Sequence, residues 1–286
     1  MIKFQDYMCK HNDDMNYLDV MKHFNFKAEE VHTSNQLMVK VSKEMSDGRK
    51  ICFLPFCHTV EGDAMGALIQ LGDCEFGPRS HFYSYDLLED LLQVKGFDLS
   101  SGRINEVIKA SSHLLAEGYE VVVNISGPLT ILNLLIDPVK VYKGFRKQAD
   151  LIKEILLIIE RNLLMYIEAL LTKGVRVFSY GDASGGISIV GPRLYQQQVE
   201  WFTHRFLESI EKLFDKKALM VLCPKVSYGL VAHKKASWSN ISVGTSDYMT
   251  AIQDSIGKTC FVGETCIKNN KYRLRNLEIK GLSLNR

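Results

Sequence analysis

Val121-Val122-Val123-Asn124-Ile125-Ser126-Gly127-Pro128 is the stretch whose reading decides the fold. Its apolar residues are all β-branched, and Gly-Pro stops it because proline cannot donate to a strand ladder. A short run that is apolar at consecutive positions belongs to a strand covered on both faces, the mark of a parallel sheet. On either side the period changes. Ile104 to Glu117 carries helical spacing and stops at Gly118, a residue suited to the left-handed turn after a helix. Lys140 to Thr172 is long and helical and is closed by Gly174. Helix, strand and helix in succession predict βα units.

The alternation continues outward. Strands are predicted at Ile51–Cys57, Cys74–Pro78, Val175–Tyr180, Leu219–Cys223, Ser239–Val243, Thr259–Val262 and Leu277–Leu282. Helices are predicted at Glu61–Leu71, Tyr85–Leu92, from Pro192 to about Phe214, and at Asp247–Ile256. With the Val121 strand, this amounts to about eight βα units, the number in a closed (β/α)8 TIM barrel. An open nucleotide-binding sheet is disfavoured, because no G-x-G-x-x-G follows the first strand and no G-x-x-x-x-G-K-[ST] appears anywhere. The polar first 48 residues, with Tyr17, Val20, Met21 and Phe24 at helical spacing, predict an N-terminal helical extension. The expected division is therefore 1–48, helical and packed on the barrel, and 49–286, the barrel itself.

The chain has 286 residues, 46% hydrophobic and 24% charged, which excludes disorder, collagen and coiled coil and allows a large core. Its net charge of +2 gives no reason to expect nucleic acid or an anionic membrane as partner. No apolar run approaches the roughly 20 residues of a membrane span. The start Met1-Ile2-Lys3-Phe4-Gln5-Asp6 lacks the apolar core of an export signal, so a cytoplasmic location is expected. Seven cysteines, at 9, 52, 57, 74, 223, 260 and 266, then predict reduced thiols rather than a disulfide framework. Cys52 and Cys260, inside strands, are expected to pack as small hydrophobes.

In a barrel of this kind the chemistry sits on the loops at the C-terminal ends of the strands. Those ends carry Cys57, His58 and Glu61; then Asn124, Ser126 and Gly127; then Tyr180, Asp182 and Ser184; then Cys223, Lys225 and Ser227; and finally Glu264 and Cys266. Thiolates with imidazole or carboxylate suit zinc. A site assembled from different strands needs no compact ligand spacing. Asp182, within Gly181-Asp-Ala-Ser-Gly-Gly186, reads either as a substrate contact or as a helix cap. The basic stretch Lys268 to Arg275 reads as a solvated loop.

Four segments resemble, in order, motifs of the uroporphyrinogen decarboxylase superfamily. They are Asn124-Ile-Ser-Gly-Pro-Leu-Thr-Ile131, Gly181-Asp-Ala-Ser-Gly-Gly-Ile-Ser-Ile-Val-Gly-Pro-Arg-Leu-Tyr195, Val221-Leu-Cys-Pro-Lys-Val-Ser227 and Phe261-Val-Gly263. The resemblance runs from about residue 50 to 286 and implies the same barrel. The decarboxylases hold tetrapyrrole carboxylates with an arginine-rich segment after the first strand. Here that place reads Leu54-Pro-Phe-Cys-His-Thr-Val-Glu61, without arginine, so a polyanion lacks its electrostatic partner. The Gly-Asp-Ala-Ser loop and Cys223 look instead like the corrinoid-dependent methyltransferase branch.

That likeness implies methyl transfer between a corrinoid (methylcobamide) protein and a thiol or pterin, with zinc activating the thiol and cobalamin carried by the partner protein. It implies Cys223 and Cys266 as metal ligands. It departs from the branch at Val221, where the pattern has histidine, and in the early position of Cys266; His58 or Glu264 would have to complete the set. Asp182, Glu61 and Tyr180 are the expected catalytic residues, and Ser126, Gly127, Ser184 and Lys225 the expected substrate contacts. Partners other than the corrinoid protein are a small-molecule methyl acceptor or donor and, within the superfamily, a second copy in a homodimer. The competing expectations are a decarboxylase-like lyase and a barrel that binds a corrinoid without turnover.

Overall fold

The structure is a computed structural model, and it describes residues 17–285. Cys9, the extreme N-terminus and Arg286 lie outside the described residues. The chain divides into two compact units, one ending at Val175 and the other beginning at Arg176.

The first unit opens with three helices, α1 (Tyr17–Phe24), α2 (Ala28–Thr33) and α3 (Asn35–Met45), which form the predicted helical extension. Strand β1 (Ile51–Leu54) follows, then the short helix α4 (Val60–Ala64) and a two-stranded hairpin, β2 (Leu68–Gln70) and β3 (Arg79–Phe82). Next come α5 (Gly102–Ala116), β4 (Glu120–Ser126), α6 (Pro128–Leu135), α7 (Pro138–Lys147) and α8 (Ala149–Thr172). Strands β1 and β4 pair in parallel from Ile51↔Glu120 to Leu54↔Val123. Val121, Val122, Val123 and Ile125 are buried, as the consecutive apolar run requires. Each contributes about 1.5–3 kcal/mol by leaving water. Because the strands are parallel, their C-terminal ends lie side by side, and Asn124 Nδ2 joins them by donating to the Pro55 carbonyl at 3.0 Å. The extension is tied to this pair: Ser42 Oγ donates to the Phe53 carbonyl and accepts from the Phe53 amide, both at 3.1 Å.

The stretch from Glu61 to Leu92 departs from the expectation. Helix α4 is a single turn, and the chain enters a hairpin instead of continuing a helix to Leu71. Cys74–Pro78 is the turn of that hairpin rather than a strand, because the Asp73 carboxylate accepts from the amides of Glu75 and Phe76 and folds the backbone back. Tyr85–Leu92 supplies only a 3-10 segment at Glu89–Gln93.

The second unit contains β5 (Val177–Gly181), α9 (Ile187–Gln198), α10 (His204–Phe214), β6 (Leu219–Leu222), α11 (Pro224–Ala232), β7 (Ala236–Ser242), α12 (Tyr248–Asp254), β8 (Phe261–Val262) and β9 (Glu278–Leu284). A turn of π-helix at Val199–Thr203 joins α9 to α10. Strands β5, β6 and β8 are parallel neighbours. Strand β9 runs antiparallel to both β8 and β7, so the parallel succession expected throughout stops at the last strands. The α/β class holds in both units. Among the described residues, neither unit's ladders close into a ring.

Candidate functional site

In the first unit the site grows from the adjoining ends of β1 and β4. The chain leaving β1 turns through Cys57, His58 and Thr59 into α4, which brings Glu61 back towards Ser126, the last residue of β4. Glu61 is fully buried. One carboxylate oxygen accepts the Ser126 amide at 2.8 Å and the other accepts the Ser126 hydroxyl at 2.9 Å. His58 Nδ1 lies 3.5 Å from the same hydroxyl, and the imidazole is exposed at the surface. Gly127 caps the N-terminus of α6 through its carbonyl, which accepts from the Ile131 amide at 3.1 Å.

The electrostatics follow from burial. Desolvation raises the Glu61 carboxyl above its ordinary range, against the Ser126 hydrogen bonds and the Arg103 charge, which lower it. The buried Tyr166 phenol from α8 is pushed well up, chiefly by desolvation and then by Glu61. An exposed imidazole, a buried hydroxyl and a buried carboxylate thus form a line from surface to interior, suited to holding or moving a proton.

In the second unit the parallel strands β5, β6 and β8 bring a different set of loops to one end. The Cys223 amide donates to the Tyr180 carbonyl at 2.8 Å. Asp182, buried after β5, accepts from Gln198 Nε2 at 2.6 Å. Gly185 fits flush against this pair: a Cβ there would lie 2.6 Å from Asp182 Oδ2 and 2.7 Å from Gln198 Nε2. Only the expected turn through Gly181-Asp-Ala-Ser-Gly-Gly186 with a residue lacking a side chain at 185 permits the contact. The Lys225 stem passes Gly186, and its carbonyl accepts the Tyr195 hydroxyl at 2.8 Å. Ser227 Oγ donates to the Gly263 carbonyl at 2.6 Å and joins α11 to the end of β8. Glu264 and Cys266 follow that strand, and both act electrostatically on the buried Tyr248 phenol, which desolvation raises most. Tyr180 points inward, its ring 5.3 Å from that of Phe206.

The structure therefore joins Glu61, Ser126 and His58 in one unit, and lines up Asp182, Ser184, Cys223, Lys225, Glu264 and Cys266 at strand ends in the other. Of the residues expected to hold zinc, His58 belongs to the first unit and Cys223, Glu264 and Cys266 to the second. Among the described residues, no three histidine, cysteine, aspartate or glutamate side chains form a group that could hold a metal.

Comparison with known proteins agrees with this framework. A sequence model described as "Uroporphyrinogen decarboxylase (URO-D)" matches residues 15–265. The chain belongs to the uroporphyrinogen decarboxylase family. It is 26% identical over 220 residues to "Methylcobamide:CoM methyltransferase MtaA" of Methanosarcina barkeri, covering 75% of this chain and 63% of that protein. It is 22% identical over 225 residues to "Methylcobamide:CoM methyltransferase MtbA" of Methanosarcina mazei, covering 75% and 64%. A solved "methyltransferase from Methanosarcina mazei" superposes with a TM-score of 0.62 at 23% identity, over 73% of this chain and 62% of the other, and shares its fold. The match thus spans a little under two thirds of these relatives.

Sequence reasoning missed two side chains of these sites. Gln198 fixes Asp182 from a helix 16 residues away. Arg103 reaches the loop after β1 from α5. A lone arginine among the apolar positions of α5 was the available signal, since a buried guanidinium must find partners.

Proposed function

We propose that this member of the uroporphyrinogen decarboxylase family moves a methyl group between a methylcobamide, brought by a corrinoid protein, and a small thiol. The observation that carries the reading is the loop after β1. It contains no arginine, and the guanidinium of Arg103, which reaches it from α5, is buried and engaged by Cys57, Thr59 and the His32 carbonyl. This loop therefore offers no cationic set for the carboxylates of a porphyrinogen. The names of the relatives support the methyltransferase branch and a thiol rather than a pterin as acceptor.

The methylcobamide is a substrate here, and it supplies an electrophilic methyl group. In the forward step the thiol sulfur forms a bond to the methyl carbon, the cobalt–carbon electron pair stays with cobalt, and the thiol proton is released. The residues of this chain handle the rest. In the first unit, His58, Ser126 and Glu61 accept and hold a proton. In the second, Lys225 and Ser184 hold an anionic acceptor, and Asp182, fixed by Gln198, orients it.

The test is product analysis. The full chain is mixed with methylcobalamin carrying a 13C-methyl group and 2-mercaptoethanesulfonate. The expected product is the labelled methyl thioether, detected by mass spectrometry. Carbon dioxide released from a porphyrinogen, with no thioether formed, would select the decarboxylase instead.

A further inference from the structure

Arg103 lies in the first turn of α5, and its side chain is only 7% exposed. Nε donates to the His32 carbonyl at 3.2 Å. Nη1 donates to Thr59 Oγ1 at 3.1 Å and lies 3.9 Å from Asp63 Oδ2. Nη2 donates to Cys57 Sγ at 3.1 Å. These partners come from α2, from the loop after β1 and from α4, so a single side chain ties three segments to α5. Cys57 and Thr59 stand on either side of His58, and Thr59 and Asp63 bracket Glu61.

Other contacts hold the start of the loop: Asn124 Nδ2 donates to the Pro55 carbonyl at 3.0 Å, and the Phe56 ring stacks 5.5 Å from that of Tyr17. Helix α4 is five residues long, and its N-cap Thr59 makes no side-chain cap bond. The Thr59 hydroxyl is turned to Arg103 and to Cys57 Sγ, 3.3 Å away. A helix this short does not persist on its own propensity. A planar guanidinium presents its donors in a fixed fork, so it sets directions as well as distances, which a lysine ammonium does not. The same charge also acts on Glu61, where it opposes the effect of burial.

We propose that Arg103 is a positioning residue: by clamping Cys57 and Thr59 around His58, it aims Glu61 at Ser126 and holds the imidazole beside the Ser126 hydroxyl. The inference rests on the proposed methyl transfer only for its kinetic consequence. The geometric consequence stands apart from it.

The test uses full-length Arg103→Lys, Arg103→Met and Cys57→Ala, with the histidines labelled with 15N for NMR. Lysine keeps the charge and loses the fork. In folded Arg103→Lys protein the His58 imidazole resonances should move while those of His204 and His233, which belong to the second unit, stay in place. Its kcat should fall about tenfold at a KM within about threefold of the parent, as expected when reacting groups are misplaced but binding is kept. Arg103→Met should show the same changes, larger. If it fails to fold, Cys57→Ala, which removes one arm of the clamp, should still move His58 by a smaller amount. Unmoved His58 signals in both Arg103→Lys and Cys57→Ala would overturn the proposal, as would an activity loss that merely tracks thermal stability. If the parent protein transfers no methyl group, the functional reading fails, and the His58 spectra still decide the clamp.

Discussion

The strand ends of the two units solve the same problem differently. After β1 and β4 the polar residues interlock: Glu61 grips Ser126 through two bonds, and Arg103 grips the loop that carries His58. After β5, β6 and β8 the cysteines Cys223 and Cys266 follow separate strands, and no metal-holding group forms among the described residues. There the order comes from Gly185, Asp182 and Gln198 packed without slack. A short loop on a parallel strand pair can satisfy its own polar groups.

The contrast can be broken in order of expected effect. The first unit should be acid-sensitive through His32. Burial first, and the Arg103 charge second, lower its imidazole from 6.5 to about 3. The unfolded chain then binds a proton below pH 6.5 that the folded chain refuses, so stability is complete above that pH and is lost as pH falls towards 3. The full window corresponds to about 4–5 kcal/mol. Glu61 and Asp63, raised by burial, work in the opposite sense and offset part of it. Urea unfolding at pH 7 and pH 4.5 should show the loss, and His32→Gln should flatten it. An equal slope in the variant would remove His32 from the account.

Glu61→Ala comes next. It leaves the Ser126 amide and hydroxyl buried without their acceptor, at a cost of about 3 kcal/mol. Chemical denaturation reads this directly. A change below about 0.5 kcal/mol would mean that water replaces the carboxylate and the array is loose. In the second unit, Gly185→Ala drives a methyl group against Asp182 and should cost about 1–3 kcal/mol in the same measurement. Asp150→Asn removes an exposed ion pair with Lys153 and should change stability by less than about 0.5 kcal/mol, the baseline for the other three.

Much of the framework was legible because its signals are local. The apolar run from Val121 became β4, and Gly127–Pro128 ended it where expected. Gly118 takes φ 77° just past α5, the conformation that terminates a helix. Three kinds of feature were not legible. Strand direction is not written into a strand, so the antiparallel β9 read like the parallel ones. The hairpin of β2 and β3 hides in a mixed segment whose fold depends on one aspartate, Asp73. The Arg103 clamp spans 46 residues to Cys57 and 71 to His32, beyond any spacing rule. Within the candidate site, Glu61, Ser126 and His58 were singled out from their strand ends and do meet. The expected zinc set, drawn from separate strands, had no such local guarantee.

The most direct measurement follows the absorbance of methylcobalamin during a single turnover with stoichiometric full-length protein. The account predicts that the spectrum converts to that of the demethylated corrinoid only when protein and thiol are both present, with one thioether formed per corrinoid consumed. An unchanged spectrum in the complete mixture, while the same protein releases carbon dioxide from a porphyrinogen, would contradict it.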